Sequence, residues 1–504
     1  MTRALGALVA VVVGLAVVVG AVVVLASSEA VPAVEANVVV NPPGPITANN
    51  SPTLVRHPDR PDHLVAAHRI DRPGFSALVE WSDDGGATWQ PTTLPLPAGT
   101  PPCAASPQQA PCPFAPDVAF GPDGTLYVLY VELQGQGNTP ARLWLATSSD
   151  GGRSIGVPVQ VAGELTFQPR LAVDAEGTVH VVWLQASDVA LNRLVGQAVV
   201  VASRSTDGGR SFSAPVPVSD PARERVGAAS PVIATDGDVV VLYEDFKDDR
   251  RDFEGLEGPP VEGPFALVVT RSEDGGRSFS PGVELESAIV PTKRFLVFLP
   301  EHPSIAAGPD GVLYAAWHSA THGDDDVFMR RSDDGGTTWT TAVRVNDNAM
   351  GDGTHQYLPR VSVAPGGRVD VLFYDRRLDP VANVMTDAFL ATSDDRGASF
   401  TNLRVSSTSF DSSVGPVFDE TFGADFGTRV GLDSTDEGAA AAWTDTRLGS
   451  ADDGRQDVVA APIIGLGSSG LPWWVLMVAL ALALGALAWF TLRRPQRHRP
   501  REHV

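Results

Sequence analysis

The sequence predicts an all-β protein built as an array of repeated units, and three observations predict it. The first is a short pattern, S-x-D-x-G-x-[ST] followed by an aromatic or aliphatic residue, that occurs six times. It reads Ser82-Asp84-Gly86-Thr88-Trp89, Ser148-Asp150-Gly152-Ser154-Ile155, Ser205-Asp207-Gly209-Ser211-Phe212, Ser272-Asp274-Gly276-Ser278-Phe279, Ser332-Asp334-Gly336-Thr338-Trp339 and Ser393-Asp395-Gly397-Ser399-Phe400. From Asp to Asp the steps are 66, 57, 67, 60 and 61 residues, a period that marks supersecondary units in series. The second is that short, alternating, β-branched runs bounded by turn residues recur inside each period. The third is composition: 41 Pro and 49 Gly among 504 residues suit a turn-rich chain, and 43% hydrophobic residues suffice for a large core.

Each residue of the pattern has a physical task. Asp and Ser side chains bond nearby backbone N–H groups, Gly supplies the turn conformation, and the last residue plugs between sheets. The pattern is the Asp-box, and over residues 37–462 the chain resembles the sialidase-like family of β-propellers. The resemblance implies a β-propeller of four-stranded blades. It also implies that Asp84, Asp150, Asp207, Asp274, Asp334 and Asp395 are structural, in hairpin turns on the rim opposite the active site.

The units can be followed along the chain. Each opens on a strand beginning near a proline: Pro52, Pro116, Pro169, Pro231, Pro303 and Pro359. Return strands follow at Thr125–Tyr130, Thr178–Trp183, Asp238–Tyr243, Val312–Trp317 and Arg368–Tyr374, after turns such as Pro122-Asp123-Gly124. A seventh unit after the sixth box offers only three strands, at 428–432, 439–443 and 457–462. Val38-Val39-Val40-Asn41 looks like Val343-Arg344-Val345-Asn346 after the fifth box. The N-terminal segment is therefore expected to complete the last blade and close the ring, which hides its open edges. The expectation is seven blades, with six as the alternative.

The ends read as membrane segments. Residues 5–26 form an uncharged apolar run after Arg3, either a signal peptide or an N-terminal anchor. Residues 463–471 form a short linker, and 472–492 an apolar span with Trp473 and Trp474 at one end and Trp489 and Phe490 at the other. Arg493, Arg494, Arg497, Arg499 and Arg501 then make 493–504 a basic tail, expected in the cytoplasm with the propeller outside the cell. Cys103 and Cys112 are the only two cysteines, and export with close spacing favours a disulfide between them.

Formal charge is −23, which argues against nucleic acid as a partner and requires any anion site to be local. The partners expected are a glycan or glycoconjugate and, through the C-terminal span, a membrane. No cofactor is expected: there is no zinc motif, no Gly-rich phosphate loop and no nucleophile elbow. The acidic runs Asp324–Asp326 and Asp248–Asp249 offer oxygen ligands but lack EF-hand spacing, so no metal site is expected.

Function is sought in the loops after the second strands, which lie opposite the boxes. They carry Asp71, Glu244, His318 and Arg376 among other polar groups. Arg170 and Arg360 each follow a proline, and Arg429 follows Thr428 in what reads as the same register. Planar guanidiniums bind carboxylate through paired bonds. The resemblance implies a three-arginine clamp on a substrate carboxylate. However, the family's Arg-Ile-Pro motif is absent here, so these arginines are chosen by register; bracing between blades through Asp375 or Asp445 is the competing role. The resemblance also implies a tyrosine nucleophile with a glutamate activator and an aspartate acid, for which Tyr357, Tyr374, Glu244 and Asp71 are the candidates. Tyr374 reads as occupying the position of Trp183, Trp317 and Trp443 in sister units, where a repeated aromatic is a core plug. Two functions follow: a membrane-anchored extracellular hydrolase of exo-α-sialidase type, or a non-catalytic surface propeller that binds glycan or protein.

Overall fold

In the computed structural model the chain forms seven antiparallel sheets around an axis. It describes residues 31–44, 47–97, 111–134, 139–190, 193–194, 196–249, 263–292, 301–419 and 423–467. The innermost strands, blade by blade, are Ala48–His57, Cys112–Phe120, Thr166–Val173, Val226–Ile233, Ser304–Ala307, Gln356–Val363 and Gly431–Ser434. The second strands are Arg60–Arg72, Leu126–Gln134, Val179–Ala186, Val239–Asp245, Leu313–Ser319, Val369–Asp375 and Gly438–Asp445. Blades one to six run outward in chain order. Blade seven takes its outermost pairing from the other end of the chain: Val38–Val39 and Ala33–Val34 pair antiparallel with Asp457–Ile464. The seven-blade count is therefore the correct one.

The closure explains why Val38–Asn41 resembles Val343–Asn346. Val40 N–H donates to the Val458 carbonyl at 2.8 Å, and Val458 N–H donates back to Asn41 Oδ1 at 2.7 Å. After the fifth box, Val345 N–H donates to Val327 O at 2.8 Å, and Val327 N–H to Asn346 Oδ1 at 2.8 Å. The amides also donate to equivalent aspartates, Asn41 Nδ2 to Asp457 at 3.0 Å and Asn346 Nδ2 to Asp326 at 2.7 Å. Ser219 and Ser406 make the same backbone lock with a hydroxyl.

All six boxes share one network. In the first, Ser82 Oγ donates to Asp84 Oδ1 at 2.8 Å and accepts from Gly86 N–H at 2.9 Å, while Thr88 Oγ1 donates to Asp84 Oδ2 at 2.6 Å. Gly86 sits at φ +101°, where a side chain is strained. Packing between blades is carried by one repeated position on the second strand. Strand register places Tyr130, Trp183, Tyr243, Trp317, Phe373 and Trp443 there, all buried. The expectation for Tyr374 is thus corrected by one residue. Phe373 is the plug, because it follows Leu372, the partner of Arg360, as Trp183 follows Val182, the partner of Arg170.

Cys112 is disulfide-bonded, and Cys103 lies outside the described residues. Among the described residues no helix is long and apolar enough to cross a membrane; the expected segments 5–26 and 472–492 lie outside them. The last strand continues to Ile464, past the end expected at residue 462.

Asn41 is buried and holds both a backbone donor and Asp457. Replacing it by Ala leaves those groups unpaired, so Asn41→Ala is expected to cost about 1–3 kcal/mol in chemical denaturation. Glu35→Ala, which changes an exposed side chain on the same closing segment, is the control and is expected to match the parent.

Candidate functional site

The innermost strands begin on the rim opposite the boxes, and each of the first four, and the sixth, carries a bulge there. Ser51, Ala115, Gln168, Ala228 and Leu358 take left-handed φ values of 47–57° at these bulges. Each kink re-aims the strand. Where regular pairing with the second strand begins, just past the bulge where there is one, each innermost strand has one equivalent position, occupied in order by Thr53, Asp117, Arg170, Ser230, Ser304, Arg360 and Gly431. Asp117 Oδ2 accepts Leu171 N–H at 3.1 Å, and Ser304 Oγ accepts Val361 N–H at 3.1 Å, so the position also ties blade two to blade three and blade five to blade six.

Arg170 and Arg360 share this position, as expected; Arg429 does not. Gly431 holds it in blade seven, where a Cβ would lie 2.7 Å from Leu54 Cβ of blade one. A side chain is excluded by that close approach, and the arginine stands two residues earlier. It reaches the axis all the same. Arg429 Nε donates to Ser51 O at 3.0 Å, and its Nη2 donates to Pro116 O.

Arg69, Arg170, Arg429 and His302 line one cavity of about 40 Å³, with Phe114, Phe167, Gln168 and Ser51 among its other walls. That is space for roughly three waters. Its charges are poorly balanced. Asp117 Oδ1 lies 3.6 Å from Arg170 Nη1 and 4.0 Å from Arg429 Nη1. Arg360 makes no hydrogen bond or ion pair among the described residues, and the same Asp117 is the anion that acts on it. Arg69 is spoken for by Asp71 and Asp425. Three guanidiniums therefore share one carboxylate.

The proton affinities register the crowding. Burial, opposed by Asp117 and reinforced by Arg360, brings Arg170 down to about 10. Burial and then Arg170 push Arg429 well below the usual guanidinium range, and burial lowers Arg360 against the pull of Asp117. Arginine does not lose its proton at ordinary pH. The downward push reflects burial first and, at Arg170 and Arg429, the neighbouring guanidiniums as well. His302 is held well below the ordinary imidazole range by burial, then by Arg170 and Arg429, so it is neutral. Its Nδ1 is buried without a hydrogen-bond partner.

The other expected site residues are dispersed. Asp71 is buried against Asn50 Nδ2 at 2.7 Å and Arg69 Nε at 3.2 Å. Tyr374 is fully buried; its hydroxyl accepts Thr444 N–H at 2.8 Å and bridges blades six and seven. Tyr357 is also buried, with its hydroxyl 3.4 Å from both Thr386 Oγ1 and Arg376 Nη2. Arg376 braces its loop by donating to Asn383 O at 2.8 Å and Ser412 Oγ at 2.9 Å. Asp375 and Asp445 pair with Arg377 and Arg447, so neither braces the axial arginines. His318 pairs with Glu301 at 2.8 Å. Burial disfavours its charge, but Glu301, Asp325 and Glu244 together outweigh burial and raise its pKa. Burial pushes the Glu244 carboxyl up to about 8, opposed by His318 and aided by Glu301. No group of three or more His, Cys, Asp or Glu among the described residues is arranged to hold a metal ion.

Asp117, Glu301 and His302 were not anticipated. Asp117 follows Pro116 as Arg170 follows Pro169, and His302 precedes Pro303 as Gln168 precedes Pro169. The signal was there in the same proline register.

The family described as BNR repeat-like domain matches residues 35–290. No curated protein matches the sequence. Among solved structures, an ulvan lyase of polysaccharide lyase family PL25 aligns with a TM-score of 0.48 at 12% identity, covering 90% of this chain and 98% of that one. A Hadza microbial sialidase aligns with a TM-score of 0.43 at 14% identity, over 79% of this chain and 73% of its own. An α-L-arabinofuranosidase from Fusarium graminearum gives 0.43 and 14%, over 73% and 95%. At these identities the likeness is one of fold.

Asp117→Asn keeps an oxygen to accept Leu171 N–H while removing the shared negative charge. The variant is expected to melt lower than the parent at low salt, to regain stability on adding sulfate, and to bind acetate or sulfate about tenfold or more tightly. Thermal melts with anion titration check this.

Proposed function

The chain belongs to the family of BNR repeat-like domains, the sialidase-like β-propellers, and from that premise we propose that it acts on anionic glycans at its axial mouth. The finer reading is a membrane-anchored, extracellular glycoside hydrolase of exo-α-sialidase type. One observation carries it: Arg170, Arg360 and Arg429 converge on the axis with a single carboxylate among them. Such a site is completed by one more anion of planar, two-oxygen shape. The cavity has room for a carboxylate group. Phe114 and Phe167 give the cavity apolar walls, against which a guanidinium–carboxylate pair is stronger than in water.

A second reading, a propeller that binds such glycans without cleaving them, is favoured by a different observation. The hydroxyls of Tyr357 and Tyr374 are buried: the first lies 3.4 Å from both Thr386 Oγ1 and Arg376 Nη2, and the second accepts Thr444 N–H at 2.8 Å. A tyrosine nucleophile has to reach the anomeric carbon with a free oxygen.

Sialic acid titrated calorimetrically into the detergent-solubilised full chain, in buffer free of phosphate and sulfate, tests the common part of both readings. Arg360→Ala and Arg429→Ala are each expected to weaken binding at least tenfold, about 1.4 kcal/mol. Smaller losses contradict a carboxylate clamp. Turnover of a fluorogenic sialoside selects the hydrolase; binding without turnover selects the second reading.

The anchoring belongs to the same proposal: the basic tail 493–504 in the cytoplasm and the propeller outside. In the background Cys103→Ser/Cys112→Ser, Arg499→Cys is expected to react with an impermeant maleimide only after cell lysis. Labelling of intact cells contradicts the topology.

A further inference from the structure

Beside the arginine cavity the segment before Pro303 serves two neighbourhoods. His302 lines the cavity, while Glu301 next to it pairs with His318 Nε2 at 2.8 Å. Glu244 stands next to last in the second strand of blade four, at the position that His318 holds in blade five, one residue beyond the plugs Tyr243 and Trp317. In blades six and seven the residues at that position are Tyr374 and Thr444, which bond to each other across the junction. The junction of blades four and five sets Glu244 against His318 in the same way, and each acts on the other's charge.

One imidazole therefore serves two glutamates. Two carboxylates in a poorly hydrated wall do not both ionise readily. Glu301 has the hydrogen-bonded ion pair with His318. The Glu244 carboxyl makes no hydrogen bond among the described residues, and the residue is half-buried. Its strand partners at that point are Gly227 and Leu267, which bring no charge, and the adjacent Asp245 is paired with Arg223. Asp325, the remaining anion near His318, is bonded to His355 at 3.0 Å.

We propose that Glu244 is the proton donor to the leaving oxygen of a glycoside held by its carboxylate at Arg170, Arg360 and Arg429, with the Glu301–His318 pair positioning it. The proposal rests on the anionic-glycan reading above. The Glu244 carboxyl gives its proton to the glycosidic oxygen as the bond from the anomeric carbon breaks and its electron pair passes to that oxygen. Water adds to the anomeric carbon and yields a proton that restores the carboxyl. The sum is glycoside plus water giving sugar plus alcohol. Burial keeps Glu244 protonated up to about pH 8, so the donor is loaded at neutral pH and lost above that value.

The test uses the full chain in detergent with two α-sialosides, one with a 4-nitrophenyl and one with a methyl leaving group. The parent is expected to cleave both, with kcat/KM falling above about pH 8. Glu244→Gln is expected to lose about a hundredfold or more on the methyl glycoside and less than about tenfold on the nitrophenyl one, whose leaving group needs no proton. Its residual rate is expected to lack the alkaline fall, and its affinity for sialic acid to stay within twofold of the parent. His318→Gln removes the charge that opposes Glu244 protonation, so its alkaline limb is expected to move to higher pH. Equal losses on the two leaving groups, an unchanged alkaline limb in Glu244→Gln, or binding without turnover in the parent overturns the donor role alone. Failure of the parent to bind sialic acid overturns the carboxylate clamp with it.

Discussion

The two ends of the propeller meet in one sheet, and the axial site depends on that meeting. Val38–Val39 and Ala33–Val34 lie along Asp457–Ile464, and Asn41 closes the pair with buried bonds to Val458 N–H and Asp457. Without this pairing, blade seven is a three-stranded sheet with a bare edge, and bare edges invite slippage and association. Closure also fixes how near blade seven comes to blade one. Gly431 against Leu54 is the tightest expression of that approach, and Arg429 reaches Ser51 O and Pro116 O only because the gap is closed.

What closure assembles is an electrostatic contrast. The chain is acidic overall, yet its axis gathers Arg69, Arg170, Arg360 and Arg429. Long-range attraction of anions is therefore weak, and selectivity lies at short range, where paired hydrogen bonds and low hydration decide. The wall between blades four and five carries the opposite character. Glu244, Glu301 and Asp325 surround His318 there, and His302 sits at the border as a neutral group. The arginine cavity, which His302 lines, and the Glu301–His318 pair are thus neighbours, joined by the consecutive residues Glu301 and His302.

Much of this was legible in the residues themselves. The boxes announce the blades because each Ser and Asp has a fixed local bond to make, independent of the rest of the fold. Val38–Asn41 announced its place because the lock it forms uses the same two residues as Val345–Asn346. The position that Arg170 and Arg360 share was read from their proline register. Harder to read was anything decided across blades. Arg429 shares no position with the other two, since register slips wherever a glycine admits a closer neighbour. Tyr374 was misplaced by one residue because Phe373 and Tyr374 are adjacent aromatics, and strand alternation alone does not say which faces the neighbouring blade. Glu244 stood out as a loop carboxyl, but its high proton affinity arises from burial in the wall and from Glu301, remote in sequence and placed by blade five.

Ala33 stands directly opposite Ile464 in the closing sheet. The polypeptide therefore enters and leaves the toroid at a single corner, on the outer edge of blade seven. Whatever holds one end holds the same corner as whatever holds the other. A pull on either strand of the pair loads the one junction whose loss would open the circle.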